Sequence, residues 1–163
     1  MSNGRAMQHL PVVLSMIVAL ALTMMPLPYV LDVARPDWIA LIIIFWSLSV
    51  PRSYGVGIAW IAGLVLDVSQ GTLLGQHALA LAVVAYLTVR FHLQMRVFPL
   101  LQLTAFVFAL NALYQFLLFW VNGVAGITAP SSVYWAPVLV GAFIWPLLYS
   151  FLSGLRYRVQ TGS

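Results

Sequence analysis

Long apolar runs separated by short polar or proline-bearing breaks organise the chain from one end to the other. Residues 10–30 are apolar apart from Ser15 and Thr23, with Pro26 and Pro28 near the far end, where a kink or loop is expected. The polar stretch Asp32-Val33-Ala34-Arg35-Pro36-Asp37 follows, and then a second run over residues 38–50 that stops at Pro51-Arg52-Ser53. A third run over 54–68 stops at Ser69-Gln70-Gly71, and a fourth over 73–89 ends at Arg90. The fifth, 98–121, gives way to Asn122-Gly123 and a loop containing Pro130-Ser131-Ser132. The sixth, 133–155, ends at Arg156-Tyr157-Arg158. A spanning helix needs about 20 mostly apolar residues to cross a hydrocarbon core about 30 Å thick, so the pattern predicts an all-α membrane protein of about six transmembrane helices.

The second and third runs are short, since about 13 to 15 residues at 1.5 Å each reach only about 20 to 22 Å. Two readings follow: short spanning helices that thin the bilayer locally, or a re-entrant hairpin whose tip is Pro51-Arg52-Ser53 buried against protein. Arg52 favours spanning, because an arginine at the membrane centre costs at least about 2.5 kcal/mol whereas one at an interface snorkels to water. Arg5 followed by an apolar run has the outline of a signal peptide, but no small-x-small cleavage site follows it, and the run is read as a retained first helix. No internal repeat or linker divides the chain, so residues 1–163 are expected to form a single polytopic membrane domain.

Composition makes lipid the solvent. Hydrophobic residues are 63% of the 163, charged residues 6%, and the mean hydropathy is +1.02. Seven Arg and three Asp, with no Lys or Glu, cannot cover a water-facing surface, for which about 25% charged residues is usual. A cytosolic enzyme, a nucleic-acid-binding module, a disordered tail and, with no Cys, a disulfide scaffold are set aside. The charges also orient the chain, because cytoplasmic loops keep an excess of Arg. With six crossings and the N-terminus inside, Arg5, Arg52, Arg90, Arg96, Arg156 and Arg158 are cytoplasmic and only Arg35 is outside. Both termini are therefore expected in the cytoplasm, with all three acids, Asp32, Asp37 and Asp67, on the outer side.

Asp67 is the most informative single residue. It lies in Gly63-Leu64-Val65-Leu66-Asp67-Val68-Ser69-Gln70-Gly71-Thr72-Leu73-Leu74-Gly75, which spaces Gly63, Asp67, Gly71 and Gly75 four residues apart. On a helix that spacing stacks one face, and small residues there admit a neighbouring backbone. Asp67 is either a buried anchor for free backbone amides where the helix turns, or a proton or cation site, the default functional reading of an intramembrane carboxylate. Gly55, Gly57, Ala59 and Gly63 continue the small-residue theme, against an internal helix or a partner's.

His9 and His92 are expected at the cytoplasmic side and His77 at the outer side, so they cannot meet at one ion, and no metal site or cofactor is expected. His77 and Asp67 share a side, but no motif singles out a nucleophile between the nearby Ser69 and Thr72, and phosphate-binding loops are missing, so no enzyme is expected. Trp38, Trp120 and Trp135 fit an outer aromatic belt. Trp46, Trp60 and Trp145 lie deeper, either facing lipid or lining an interior cleft. Pro146 beside Trp145 is expected to kink the sixth helix.

The chain resembles the rod shape-determining MreD family. Arg35-Pro36-Asp37-Trp38 before an apolar helix, Pro51-Arg52 before the Gly55/Gly57 helix, the Gly63, Asp67, Gly71, Gly75 series with Leu74, then Tyr86, Arg96 and Trp145-Pro146 before an Arg-rich end carry the likeness. It covers nearly the whole chain, the first 30 residues in hydropathy only. It implies a non-enzymatic inner-membrane component of the bacterial cell-elongation machinery that supports rod shape and lateral peptidoglycan synthesis. The implied partner is the bitopic protein MreC, and through it the filament protein MreB and the glycosyltransferase RodA with its penicillin-binding transpeptidase. The family's fold is similar to the six-helix substrate-binding components of vitamin uptake transporters, which supplies the alternative, a small-molecule-binding membrane subunit. Few convergent polar groups for a hydrophilic ligand are visible in the string. The expectation is a groove for the partner's membrane helix and juxtamembrane segment, bound or braced by Arg35, Pro36, Trp38, Gly63, Asp67, Gly71, Gly75, Trp145 and Pro146.

Overall fold

A computed structural model describes residues 3–128 and 132–161, and among them every regular element is helical. The order is α1 (Asn3–Met24), α2 (Tyr29–Val33), α3 (Trp38–Ser49), α4 (Val56–Gln70), α5 (Gln76–Val97), α6 (Leu100–Val124), a 3-10 turn (Ser132–Trp135) and α7 (Ala136–Thr161). Of the polar loop expected before the last helix, Pro130 and Ser131 lie outside the described residues. Three segments, Gln76–Val97, Leu100–Val124 and Ser132–Arg158, are long and apolar enough to cross a bilayer.

Prolines set several boundaries. The first run, expected to continue to residue 30, stops at Met24, and Pro28 starts the separate short α2 from an extended conformation. A proline offers no amide to the preceding helical turn and pushes its predecessor out of the helical region. The fourth run does not end at Arg90 but continues to Val97, where Phe98 turns extended (φ −71°, ψ 138°) ahead of Pro99. Arg90 is exposed, and a long side chain of that kind carries its charge away from the helix without ending it. α7 runs unbroken through Pro146.

α3 is the axis of the molecule. Every residue from Ile39 to Leu48 is buried, and a helix apolar on all sides is one that other helices surround. It packs on α5, α1, α6 and α7. Its twelve residues rise only about 18 Å, which is sufficient where protein rather than lipid encloses it. Trp46 donates its ring N–H to Ser15 Oγ at 2.9 Å and so ties α3 to α1. α4 packs chiefly on α5, and α3 and α4 have at most a marginal contact. Arg52 and Ser53, the tip a re-entrant hairpin would bury, are exposed.

Side-chain bonds define the two ends of the bundle. At one, His9 on α1 meets Tyr54 after α3. There the Arg96 guanidinium on α5 donates to the carbonyl oxygens of Ser49 (2.9 Å) and Leu48 (3.2 Å). A cation is thereby set on the negative, unsatisfied end of α3. At the other end Arg35 reaches the carbonyls of Thr23 and Met25 at the end of α1 and pairs with Asp32 at 2.8 Å.

The α4–α5 contact is the tightest in the molecule. A Cβ on Gly63 would lie 2.3 Å from the Ala78 Cα and 2.4 Å from its N. Ala59, Gly63 and Ala78 are buried, as a close helix crossing in lipid requires. Gly63 and Ala59 thus serve an internal neighbour, whereas Gly57 faces open space.

Candidate functional site

Asp67 sits one turn from the end of α4, fully enclosed, and faces the start of α5. Its Oδ1 accepts from the His77 backbone N–H (3.0 Å), the His77 ring Nδ1 (2.7 Å) and the Thr72 hydroxyl (3.0 Å). Its Oδ2 accepts from the Gly75 N–H at 2.8 Å and the Ala78 N–H at 3.4 Å. The first amides of a helix have no partner within it and carry its positive dipole end, so a carboxylate from the neighbouring helix satisfies both bonding and charge. Carboxylate, imidazole and hydroxyl are thereby joined in one hydrogen-bonded network.

The glycines here are explained by backbone rather than by packing. α4 ends at Gln70, and Gly71 takes a left-handed conformation (φ +65°) in which its N–H and that of Thr72 both return to the Asp67 carbonyl. Gly75 is also left-handed (φ +96°), which turns its N–H onto the carboxylate. A Cβ on either would meet nothing within 4 Å. The expectation of one helical face stacking Gly63, Asp67, Gly71 and Gly75 is therefore corrected: the helix is over before the third of them, because positive φ is incompatible with continuing it.

Beside this network lies a cavity of about 440 Å³. Loop residues Arg35, Pro36 and Asp37, with Trp38, form one wall, and Gln70, His77, Tyr114, Gln115 and Tyr134 face it from α4, α5, α6 and the 3-10 turn. Gln115 is buried and donates its amide to the Tyr134 carbonyl at 2.9 Å. The sparse polar lining expected from the string is thus corrected, because residues from four separate elements converge here. Tyr114, Gln115, Gln70 and Tyr134 escaped sequence reasoning, and Asp37 stood out only as an outer-side acid within Arg35-Pro36-Asp37-Trp38. The signal available was Asn111, Tyr114 and Gln115, a polar set at i, i+3 and i+4 in the middle of a mostly apolar helix.

Of the remaining candidates, Trp145 is fully buried against Tyr149 (ring centroids 5.8 Å apart) and faces neither this cavity nor the apolar one between α1 and α7. Pro146 lies next to it inside α7. Trp46 is buried and Trp60 is half exposed on α4, which divides the deep tryptophans between core and lipid. No cluster of three metal-ligating side chains occurs among the described residues.

Asp37 precedes α3, and its Oδ2 is enclosed without a hydrogen-bond partner among the described residues. Burial pushes its carboxyl up from an ordinary 3.8 to about 7. Between those values the folded chain keeps a proton that the unfolded chain has lost, so stability falls as pH rises through this window. In lipid-free detergent solution Asp37→Asn is expected to raise the melting temperature at pH 8 and leave it nearly unchanged below pH 4. A gain of equal size at both pH values would show that the carboxylate is not the strained group.

A family model described as the rod shape-determining protein MreD matches residues 4–155. The chain is also similar to the "Rod shape-determining protein MreD" of Haemophilus influenzae (strain ATCC 51907 / DSM 11121 / KW20 / Rd), with 26% identity over 152 residues that cover 88% of this chain and 89% of that protein. No solved structure matches it.

Proposed function

The chain belongs to the rod shape-determining MreD family, a membrane family with a role in cell shape, and from that premise we propose a non-enzymatic scaffold of the elongation machinery in the bacterial inner membrane. It binds the membrane helix and juxtamembrane segment of MreC, and through MreC it connects to MreB, RodA and the penicillin-binding transpeptidase that build the lateral wall. Both termini lie in the cytoplasm, a placement supported by the gathering of Arg52, Arg96 and Arg156 toward the end opposite Arg35.

The observation that carries the partner surface is α4. Its contacts are almost all with α5, and Val56, Gly57, Trp60, Ile61 and Val65 are left uncovered. Helices associate in lipid through close packing, and Gly57, with nothing within 4 Å of its would-be Cβ, offers the approach. MreC's helix lies along this face. Arg35, Pro36 and Trp38 brace the loop at the end of the bundle where its juxtamembrane segment emerges, while Gly63 and Asp67 hold α4 against α5 behind it and Gly71 and Gly75 shape the turn between the two helices. Trp145 and Pro146 brace from the core.

Gly57→Leu is expected to reduce MreC recovered with the tagged protein by about tenfold, the equivalent of an overpacking cost within about 1–3 kcal/mol. Its own melting temperature and level should be unchanged. Gly154→Leu, an equally open position on α7, should recover MreC as the unaltered chain does. Equal recovery by both variants would remove α4 as the surface. The polar cavity favours the second reading, a small-molecule-binding subunit of a transporter. Recovery of a specific solute with an energising subunit and no MreC would establish that reading in place of the scaffold.

A further inference from the structure

Two cavities that the scaffold reading leaves unused share a wall. The polar cavity of about 440 Å³ beside Asp37 and an apolar trough of about 470 Å³ between α1 and α7 are both lined by Trp38. Asp37, Gln115 and Arg35 line the first, and each also carries an enclosed polar atom with no hydrogen-bond partner among the described residues: Oδ2, Oε1 and Nε. Gln115 is only 5% exposed. Two are acceptors, one of them on a carboxylate, and the third is the donor of a guanidinium. Leaving such groups enclosed and unmet is costly, so they specify a complement. N–H groups on a positive centre at one point and an anionic oxygen at another complement them.

The trough asks for a different chemistry. Leu14, Val18, Leu22, Leu148 and Phe151 line it, with Ser15 contributing little polarity. It follows α1 from Leu10 to Leu22, about 18 Å of helix, which is somewhat more than half of a hydrocarbon core about 30 Å thick. The trough runs from beside His9 at one end of the bundle to beside Thr23 at the other, long enough to take much of an extended acyl chain. Its polar neighbour opens at the end of the bundle, where headgroups lie, and Trp38 stands between, as aromatic side chains do at that level.

We propose that the two cavities form one binding site for a membrane aminophospholipid. The primary ammonium of the headgroup meets Asp37 and Gln115, the phosphate meets the Nε of Arg35, whose terminal nitrogens are held by Thr23, Met25 and Asp32, and an acyl chain lies in the α1–α7 trough. An anionic lipid without an amine leaves Asp37 unmatched. A quaternary ammonium has no N–H to give Gln115. A soluble zwitterion leaves the trough unfilled. The site lies away from the α4 face assigned to the partner helix but shares Arg35, Pro36 and Trp38 with the loop assigned to the partner's juxtamembrane segment, so it is tested on the chain without MreC.

The test uses the full chain, purified in mild detergent, stripped of lipid and offered equal amounts of phosphatidylethanolamine, phosphatidylcholine and phosphatidylglycerol, with retained lipid read by native mass spectrometry. Phosphatidylethanolamine is expected to be retained about tenfold over either of the others, the discrimination of one charge-assisted hydrogen bond. Asp37→Asn should level the three. Val18→Trp, which fills the trough, should lower retention of all three. Equal retention by the unaltered protein, or preference for phosphatidylglycerol, would overturn the proposal whatever the variants do. If free phosphoethanolamine competes as well as the whole lipid at the same concentration, the pocket serves a soluble zwitterion and the lipid assignment is wrong.

Discussion

Gly63→Ala is expected to lower the melting temperature of the purified protein by about 6–10 °C, at or above the upper end of the roughly 1–3 kcal/mol that overpacking usually costs. The added methyl would sit 2.3 Å from a backbone atom of Ala78, and a backbone atom cannot rotate away as a side chain can. The α4–α5 pair must part along its length, opening the contact that also holds Asp67 against the start of α5. Gly57→Ala on the same helix meets nothing within 4 Å and should melt as the unaltered protein does. If both variants melt alike, the crossing is looser than described.

Asp67→Ala is the second large effect. Its removal strips acceptors from the amides of Gly75, His77 and Ala78 and from the His77 ring in one step. Removing one side of a buried charged interaction costs about 3–5 kcal/mol, and in lipid no water replaces it. The first turn of α5 should unravel ahead of the rest. Hydrogen exchange should show lost protection at residues 75–81 before any change at α6. Asp67→Asn keeps one acceptor oxygen and should fall between the two. Uniform loss of protection across all helices would instead mean that Asp67 supports the whole bundle equally.

The runs of the string foretold the helices well because hydropathy in a membrane chain reports the solvent directly. Their ends were less legible. Arg90 looked like a boundary, yet the stop is made by Pro99, which forces Phe98 to extend. Asp67 stood out as the one acid in an apolar run, but a four-residue spacing of glycines reads the same whether they pack a helix face or make left-handed turns, and only Gly63 packs. Arg96 was legible only as an orienting charge and a family position, and its part in ending α3 was not, since its acceptors are backbone carbonyls at Leu48 and Ser49, far away in sequence. The polar cavity was hidden because Asp37, Gln70, Gln115 and Tyr134 come from separate elements. Each looks incidental alone.

The enclosure of α3 bears on how the molecule is made. At about 18 Å it is too short to be held across a bilayer by lipid alone. The cation that meets its last carbonyls is on Arg96, and the neighbours that wrap it include α5, α6 and α7. During synthesis α3 leaves the ribosome before any of these has emerged. The nascent chain therefore carries an axial helix with no finished surroundings until more than half of the protein has been made. Of the helices that pack on α3, only α1 precedes it in the chain, so its enclosure is completed last, by the second half of the protein.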